Sequence, residues 1–287
     1  MRNFNEHTIT DAVIDRIKDT PNPRVKEISA SLVRHLHDFV RDVRLTEAEW
    51  AYAIEFLTRT GKMCDGNRQE FILLSDTLGV SMLVDAINHA SPLGTETTVL
   101  GPFYVQGPPD YPLGADIRGA LQGDPLYVSG RVTASDGKPI GNAVVDVWHS
   151  DKDGFYDVQH IEETGGLAGR ARFHTDKDGG YRFWSIKPAA YPIPYDGPVG
   201  DMLTAQARHP WRPAHVHFMI SAPGHEKLTT HVFVNGDQYL DSDAVFGVKD
   251  SLIADFVAHE GGIAPDGKNM NGLFYTLTYD FTLRPQA

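Results

Sequence analysis

The sequence has little cysteine and no long apolar run. Cys64 is the only cysteine among 287 residues, so the chain can form neither an internal disulfide nor a cluster of thiolate metal ligands. This usage is typical of a reducing compartment, and we expect the protein in the cytoplasm. No apolar run approaches the roughly 18 residues of a membrane-spanning helix, and the first ten residues, MRNFNEHTIT, lack the apolar segment of a signal peptide. We therefore expect no membrane partner.

Positive charge is also scarce. The chain has 26 lysines and arginines against 38 aspartates and glutamates, which gives a net charge of −12 at pH 7. An acidic surface repels the phosphate backbone, so the charge argues against nucleic acid as a partner. The hydrophobic content of 41% and the charged content of 22% are ordinary for a globular protein. A chain of this length can bury one large core or two smaller ones.

The first third of the chain, 1–90, is predicted to form a helical domain. Apolar residues recur at helical spacing between Asn22, a helix-capping residue followed by proline, and Val43. A capping box begins at Thr46 and predicts a second helix, with Gly61 as its stop signal. A third helix is predicted over 69–88. The apolar stripes indicate either an ordinary helical core or a surface that pairs with another subunit.

The rest of the chain reads as a linker followed by strands. Residues 91–125 are rich in proline and glycine and are predicted to cross the surface of the next domain. From 126 to 287, short alternating runs separated by Gly, Asp and Asn turns indicate a β-sandwich or barrel, and we take an antiparallel β-sandwich as the prediction. The fold class is then α+β. The predicted strands cover 126–132, 142–148, 170–174, 181–186, 214–221, 228–234 and 274–283. Two finer predictions are a hairpin through Asp178-Gly179-Gly180 and a helix near 250–259.

Two histidines lie two residues apart in the run Arg212-Pro213-Ala214-His215-Val216-His217-Phe218. Alternate side chains of a strand point to the same face, with Cα atoms roughly 6.5 Å apart. His215 and His217 would therefore lie side by side on a rigid element. Imidazole is a good ligand for Zn, Cu, Fe and Ni. The pair predicts a metal site and leaves the metal open.

Two histidines fill only part of a coordination sphere. A carboxylate could complete a ferrous site of two histidines and one carboxylate. Tyrosine is the other option, because a trivalent cation can convert a phenol, with its pKa of about 10, to phenolate. Tyr156 and Tyr191 lie at loop or strand-end positions, in segments with glycine or proline, where a ligand could approach. Their rings could equally pack with the hydroxyls in water.

The stretch from Pro125 to Leu252 resembles the intradiol ring-cleaving dioxygenases. The matching segments there are VDVWH at 145–149, GFY at 154–156, GYRF at 180–183, SIKP at 185–188, RPAHVHF at 212–218 and SAPGH at 221–225. In the preceding part they are FILLSD at 71–76 and GPFY at 101–104. The resemblance therefore covers nearly the whole chain, and the combination is highly specific.

The resemblance implies a non-haem Fe(III) centre, one per subunit, and a small aromatic diol or triol as substrate with O₂. It implies that the iron ligands are Tyr156, Tyr191, His215 and His217. Tyr191 would also take a proton from the substrate. Arg212 would stabilise negative charge on the substrate ring, and its alternative role is a surface or capping salt bridge. The ring would open between the two hydroxylated carbons to give an open-chain diacid.

The resemblance also bears on substrate choice. Catechol-cleaving members usually carry glutamine where this chain has His231, beside the bound substrate. The runs 239–249 and 100–103 are similar to the hydroxyquinol-cleaving branch. A third ring hydroxyl needs a polar partner in an apolar pocket. Asp76 could accept that bond, or it could only cap or pair within its own helix. The pocket wall would include Leu73, Val99, Leu100, Gly101, Pro102, Ile193 and Pro194.

These features predict cleavage of hydroxyquinol (benzene-1,2,4-triol) to 3-hydroxy-cis,cis-muconate, which tautomerises to maleylacetate, in aromatic degradation. A catechol or chlorocatechol 1,2-dioxygenase that forms cis,cis-muconates is the alternative within the family. A zinc hydrolase built on the histidine pair and a non-enzymatic β-sandwich binding module are alternatives outside it. Members of the family are homodimers joined by N-terminal helices, often with a phospholipid in the apolar tunnel between subunits. We expect the same assembly here.

Overall fold

The structure is a computed structural model that describes residues 2–65, 68–90 and 93–286. Positions 91 and 92, where the predicted linker begins, lie outside the described residues. The chain divides into two compact units, Met1–Arg59 and Thr60–Ala287. Within the described ranges, no helix combines the length and the apolar character that crossing a membrane requires.

The first unit is helical, as predicted. Helix α1 covers Ile9–Arg16, α2 covers Pro23–Val43 and α3 covers Glu47–Lys62, so the division between the units falls within α3. The side chain of Asn22 caps α2 by accepting hydrogen bonds from the two backbone N–H groups that follow Pro23. The predicted capping box of α3 is present. Helix α3 continues one residue past the predicted stop at Gly61.

The apolar stripe of α2 is exposed rather than buried. Only Ala30 is buried in this helix. The exposed members of the stripe are Val25, Ile28, Leu32, Leu36, Phe39, Val40 and Val43, at 43% to 56% exposure. A continuous apolar surface of this kind is typical of a protein–protein or lipid contact.

After the end of α3, the second unit continues with two short helices, α4 (Glu70–Thr77) and α5 (Val80–Asn88). The prediction of one helix over 69–88 is wrong, because the chain turns at Gly79. This glycine has a φ of 73°, in the left-handed region that glycine adopts without a steric penalty. The apolar spacing continues across the turn, so periodicity alone could not reveal it. Later helices are α6 (Ile161–Thr164) and α7 (Pro198–Ala205).

Short strands run through the rest of this unit. They are β1 (Pro125–Ala134), β2 (Val144–His149), β3 (Arg170–His174), β4 (Gly180–Ile186), β5 (Tyr191–Pro192), β6 (Trp211–Arg212), β7 (His215–Ser221), β8 (Leu228–Val234), β9 (Ile253–Ala254), β10 (Val257–His259), β11 (Gly262–Ile263), β12 (Asn269–Met270), β13 (Phe274–Thr278) and β14 (Phe281–Leu283). One five-stranded sheet has the order β10-β13-β1-β14, with β4 also paired to β1. The other has the order β3-β2-β7-β8-β9. Residues of both sheets form the main apolar core, in which Phe173 of β3 stacks on Phe183 of β4.

The sheets are mixed, so the prediction of a strictly antiparallel sandwich is wrong in part. Strand β1 pairs in parallel with β13 and with β14, and β8 pairs in parallel with β9. The other pairings of the two large sheets are antiparallel. Alternation of apolar and polar residues reports which face of a strand is buried and carries no information on the direction of its neighbour.

The predicted hairpin between β3 and β4 is also wrong. The turn itself exists, since Asp176 N–H donates to the carbonyl of Gly180 at 3.0 Å. The two strands then separate, because β3 pairs with β2 in one sheet and β4 pairs with β1 in the other. The turn therefore carries the chain from one sheet to the other.

Two further predictions fail near the C-terminus. The region 250–259 is a single 3-10 turn at Asp250–Leu252 followed by β9 and β10, and not a helix. Its apolar residues also fit helical spacing, but Ile253 pairs with Phe233 of β8. The predicted strand 274–283 is divided into β13 and β14. Tyr279 and Asp280 separate them without a change of register against β1, and the carbonyl of Tyr279 packs on Gly130 of β1.

Candidate metal centre and adjoining cavity

Strand β7 places His215 and His217 on one buried face. Both residues are 1% exposed, and their Nε2 atoms lie 3.1 Å apart. Neighbouring strands complete the surroundings of His217, which is in register with Trp148 on β2 and with His231 on β8. The indole of Trp148 stacks on the His217 ring with centroids 4.6 Å apart and an interplanar angle of 15°. The predicted pair is therefore held in a rigid, buried position within its sheet.

Of the two predicted tyrosines, Tyr156 approaches this pair from a loop and Tyr191 from the short strand β5. The hydroxyl of Tyr156 lies 2.8 Å from Nε2 of His217. The ring of Tyr191 lies edge-on to that of Tyr156, with centroids 5.3 Å apart, and 5.6 Å from that of His215. Gly154 allows the segment that carries Tyr156 to pack closely on Tyr191, because a Cβ atom at this glycine would lie 2.7 Å from Cβ of Tyr191. The structure therefore brings together all four residues that the sequence proposed as metal ligands.

The histidines present lone pairs to the centre. Nδ1 of His215 lies 2.7 Å from the carbonyl oxygen of Pro213. Since a carbonyl can only accept, Nδ1 carries the proton and Nε2 is left with its lone pair. Burial lowers the pKa of both His215 and His217 well below 6.5, and nearby positive charge lowers it further. Both rings are therefore neutral near pH 7, the form that binds a metal.

Tyr156 needs a cation to ionise. Burial raises the pKa of Tyr156 well above 10, and the neighbouring Tyr191 raises it further, while Arg212 and Arg170 lower it. A trivalent metal would supply the missing positive charge and convert the phenol to phenolate. Two phenol oxygens and two neutral imidazoles form a donor set that suits iron. The residues present therefore fit a ferric ion.

Histidine 231 makes a second arrangement conceivable. Ligand nitrogens of His215, His217 and His231 all lie within 4.8 Å of one another, and three histidines are a known zinc donor set. However, Nδ1 of His231 lies 3.4 Å from an NH2 nitrogen of Arg212. A cation bound by all three histidines would lie beside a guanidinium. The oxygen of Tyr156 next to His217 also favours the tyrosine–histidine set.

Arg212 borders the centre from β6, where its register partner on β5 is Tyr191. It is 2% exposed, so its alternative role in a surface salt bridge is wrong. Its NH1 atom lies 3.5 Å from Nε2 of His215. Burial alone would lower the pKa of Arg212, but the charge of Asp243 and of the two tyrosines more than offsets this, so the pKa stays above its usual value. The centre therefore contains a permanent, fixed positive charge.

A cavity of about 210 Å³ adjoins the centre. Four of the eight predicted substrate-binding residues line it: Leu73, Asp76, Pro102 and Pro194. Asp76, on α4, is only 5% exposed. Burial raises its pKa, while a hydrogen bond from Ser81 and the charge of Arg212 lower it. A buried acceptor thus faces a small space whose walls combine apolar side chains with Gln69, Gln159 and the ion pair of Arg68 with Glu70.

The other four predicted wall residues occupy different positions. Val99 and Ile193 belong to an apolar cluster that also contains the two tyrosines. Gly101 packs on the centre itself, because a Cβ atom there would lie 3.1 Å from Cε1 of His217. Leu100 is 42% exposed and does not line this cavity.

Sequence reasoning missed three residues at or next to the centre. Phe103 stacks on Tyr156, with centroids 4.5 Å apart and an interplanar angle of 22°. Phe103 directly follows Gly101 and Pro102, which were both predicted to line the pocket, so its position in the sequence could have indicated that it lies near the centre. Trp148 gave no signal for contact with His217, because strand pairing was not predicted. Asp243 pairs with Arg212 from 31 positions away, and nothing local marks it.

Comparisons with known proteins agree with this geometry. A family model described as "Dioxygenase" matches residues 99–285, and one described as "Catechol dioxygenase N terminus" matches 22–96. The chain is 55% identical over 286 residues to 6-chlorohydroxyquinol 1,2-dioxygenase of Cupriavidus pinatubonensis, covering 99% of each chain. It is 50% identical to hydroxyquinol 1,2-dioxygenase of Corynebacterium glutamicum, covering 98% of this chain and 94% of the relative. The crystal structure of hydroxyquinol 1,2-dioxygenase from Pseudomonas putida DLL-E4 superimposes with a TM-score of 0.90 at 49% identity, covering 98% of this chain and 99% of that one.

Proposed function

The chain belongs to the intradiol ring-cleavage dioxygenase family, most like its hydroxyquinol-cleaving members, and on this basis we propose that it opens hydroxyquinol with O₂. The product is 3-hydroxy-cis,cis-muconate, which tautomerises to maleylacetate. The observation that carries the substrate choice is Asp76. It places a buried carboxylate in a small cavity beside the tyrosine–histidine centre, and the other buried carboxylate of the lining, Glu70, is already paired with Arg68.

Members of this family depend on non-haem iron. We propose that Tyr156, Tyr191, His215 and His217 hold one ferric ion per subunit. The bound ion would supply Lewis acidity, which draws electron density from a catecholate ring and makes that ring reactive toward O₂. The support is the neutral histidines, whose Nε2 atoms lie 3.1 Å apart, and the phenol oxygen 2.8 Å from one of them.

The chain's own residues would then manage protons and charge. The phenolate oxygen of Tyr191 accepts a proton from one of the two adjacent substrate hydroxyls. The guanidinium of Arg212 stabilises negative charge on the ring, since it is buried, always charged and held in place. His231 lies against Arg212 and His217, where it borders the bound ring.

Asp76 would bind the third hydroxyl. That hydroxyl would otherwise lose its hydrogen bonds to water on entering the cavity, at a cost of about 1–3 kcal/mol. A carboxylate in the wall accepts a bond from it and removes the cost. Catechol has no third hydroxyl, so it would leave Asp76 without a ligand partner.

Steady-state kinetics on both substrates test this proposal. We expect the wild-type kcat/KM to favour hydroxyquinol over catechol. In Asp76→Ala, kcat/KM for hydroxyquinol should fall about 10–100-fold, because the third hydroxyl loses its acceptor. The value for catechol should fall much less. A wild-type preference for catechol, or equal losses on both substrates, would contradict the assignment.

A chlorinated hydroxyquinol is a second candidate substrate. The relative with 55% identity is named for 6-chlorohydroxyquinol. The cavity of this chain contains apolar surface from Leu73, Ile72 and Pro102, against which a chlorine atom could pack. Comparison of kcat/KM for hydroxyquinol and 6-chlorohydroxyquinol decides between them. A ratio above one in favour of the chlorinated ring would make it the preferred substrate.

We also propose the assembly that the family suggests. The helical region 1–90 would form a homodimer through its apolar stripes, with a phospholipid between the subunits, while 91–125 links it to the catalytic region 126–287. The exposed stripe of α2 supports a contact surface. The use of a single cysteine supports a cytoplasmic location.

A further inference from the structure

Asp243 holds the guanidinium of Arg212 in a bidentate ion pair. Oδ1 accepts a hydrogen bond from Nε at 3.0 Å, and Oδ2 accepts one from NH2 at 3.2 Å. Both side chains are only 2% exposed. Loss of one partner from such a pair leaves an uncompensated buried charge, so each residue strongly constrains the other.

The carboxylate is itself fixed by the loop that carries it. Oδ2 also accepts a hydrogen bond from the backbone N–H of Gly247 at 2.9 Å. The loop is tied to the strand of Arg212, because Ala244 N–H donates to the carbonyl of Trp211 at 3.1 Å. Gly247 packs directly against the guanidinium, since a Cβ atom at this position would lie 2.9 Å from NH2 of Arg212. These contacts leave the guanidinium a single position.

The ion pair also decides which edge of the guanidinium faces the centre. Nε and NH2 are directed to Asp243, so NH1 is the nitrogen that points to His215. Its distance of 3.5 Å from Nε2 of His215 exceeds that of an ordinary hydrogen bond. NH1 is therefore well placed to donate to a substrate.

We propose that Asp243 is a positioning residue, which acts through Arg212 by occupying Nε and NH2 and turning NH1 toward the bound ring. This inference rests on the proposed function. Without Asp243, the guanidinium would be free to turn toward the oxygen of Tyr191, its register partner on β5. It would then compete for the metal ligands instead of serving the substrate.

The variant Asp243→Asn tests the proposal in the iron-loaded enzyme with hydroxyquinol. An amide has one accepting oxygen and a donating NH2 group, which would face the donors of Arg212 or Gly247. We expect kcat to fall about 30–100-fold, less than the roughly 10²–10³-fold loss when a charge-stabilising donor is removed, because the guanidinium is displaced and not lost. KM should change less than about threefold. The iron content and the visible band of the resting enzyme should stay unchanged.

A double-mutant comparison separates positioning from a structural role. If Asp243 acts through Arg212, then Arg212→Gln combined with Asp243→Asn should be no slower than Arg212→Gln alone. Asp146→Asn is the matched control, because Asp146 forms a similar bidentate pair with Arg172, at 2.6 and 2.8 Å. It should lower the melting temperature and leave kcat within about threefold of the wild-type value.

The proposal is overturned if Asp243→Asn keeps kcat within threefold of wild type, or if the two single losses multiply in the double variant. Should Asp243→Asn fail to fold, Asp243→Glu decides the question, because it keeps the charge and moves the guanidinium by about one methylene. A fall in kcat of about tenfold with an unchanged resting spectrum supports the proposal, and wild-type kcat overturns it.

A wild-type enzyme that turns over catechol but not hydroxyquinol would contradict the proposed substrate alone, and the same variants would then be compared on catechol.

Discussion

The two histidines of the centre differ in what their outer ring nitrogens contact. Nδ1 of His215 is tied to the carbonyl of Pro213, which sets its tautomer and orients the ring. Nδ1 of His217 has no such partner among the described residues. The stacked indole of Trp148 orients that ring instead. The same residue type is thus positioned by a hydrogen bond in one case and by packing in the other.

Burial of the Asp76 carboxylate in the cavity is expected to lower the free energy of unfolding at neutral pH. Burial raises its pKa in the folded protein above the ordinary value of 3.8. Between pH 3.8 and the raised pKa of the folded protein, the folded protein holds a proton that the unfolded chain has lost. The free energy of unfolding therefore decreases as the pH rises through this range, and the loss of stability persists at higher pH. We therefore expect Asp76→Asn to raise the melting temperature at pH 7.

The gain from Asp76→Asn should shrink as the pH approaches 3.8, because the carboxyl is then increasingly protonated in both states. Thermal unfolding of the metal-free protein at pH 7 and at about pH 4 measures this, with wild type as the reference. A variant that is less stable than wild type at pH 7 would show that the ionised carboxylate stabilises the fold.

The sequence was most informative where residues that act together also lie together. His215 and His217 share a strand, so their spacing predicted their shared face. Resemblance to a known family was needed to identify Tyr156 and Tyr191 as metal ligands. The short segments that carry them have no periodic pattern from which the direction of their side chains could be predicted. Asp243 could not be found at all, since its role depends on a contact across 31 residues.

At the scale of the elements, local signals predicted helix starts and strand positions but not strand partners. The cap at Asn22 and the capping box at Thr46 are local hydrogen-bond patterns, and both were predicted. The pairing of β3 with β2 rather than with β4 depends on how two sheets pack, as does the parallel pairing of β1 with β13. Alternation of side chains is the same for either choice.

Substitution of Gly130 tests whether its contact with Tyr279, between β13 and β14, constrains the fold. A Cβ atom at this position would lie 1.8 Å from the carbonyl oxygen of Tyr279. Since backbone must move to relieve this clash, we expect Gly130→Ala to destabilise the protein by about 3 kcal/mol or more. Chemical denaturation measures the change.

Gly272→Ala is the control for that experiment, because a Cβ atom there meets nothing within 4 Å. It should change the free energy of unfolding by no more than about 0.5 kcal/mol. Equal effects of the two substitutions would show that the contact with Tyr279 does not constrain the break between β13 and β14.

At the scale of the whole molecule, the exposed stripe of α2 predicts self-association. One chain has a mass of 31.7 kDa, and light scattering should give twice this value for the wild-type protein. Leu36→Glu places a charge in the middle of the stripe and should shift the mass toward that of a single chain, because burying an unpaired charge is unfavourable. A wild-type mass of one chain would contradict the dimer.

The central claim is that two tyrosines and two histidines hold ferric iron that a hydroxyquinol ring can reach. The most direct test is the visible spectrum of the purified protein before and after anaerobic addition of hydroxyquinol. We expect a red-brown protein with an absorption band from tyrosinate bound to ferric iron, and a shift of that band when the substrate binds. A colourless protein containing zinc, or a band that hydroxyquinol leaves unchanged, would contradict the account.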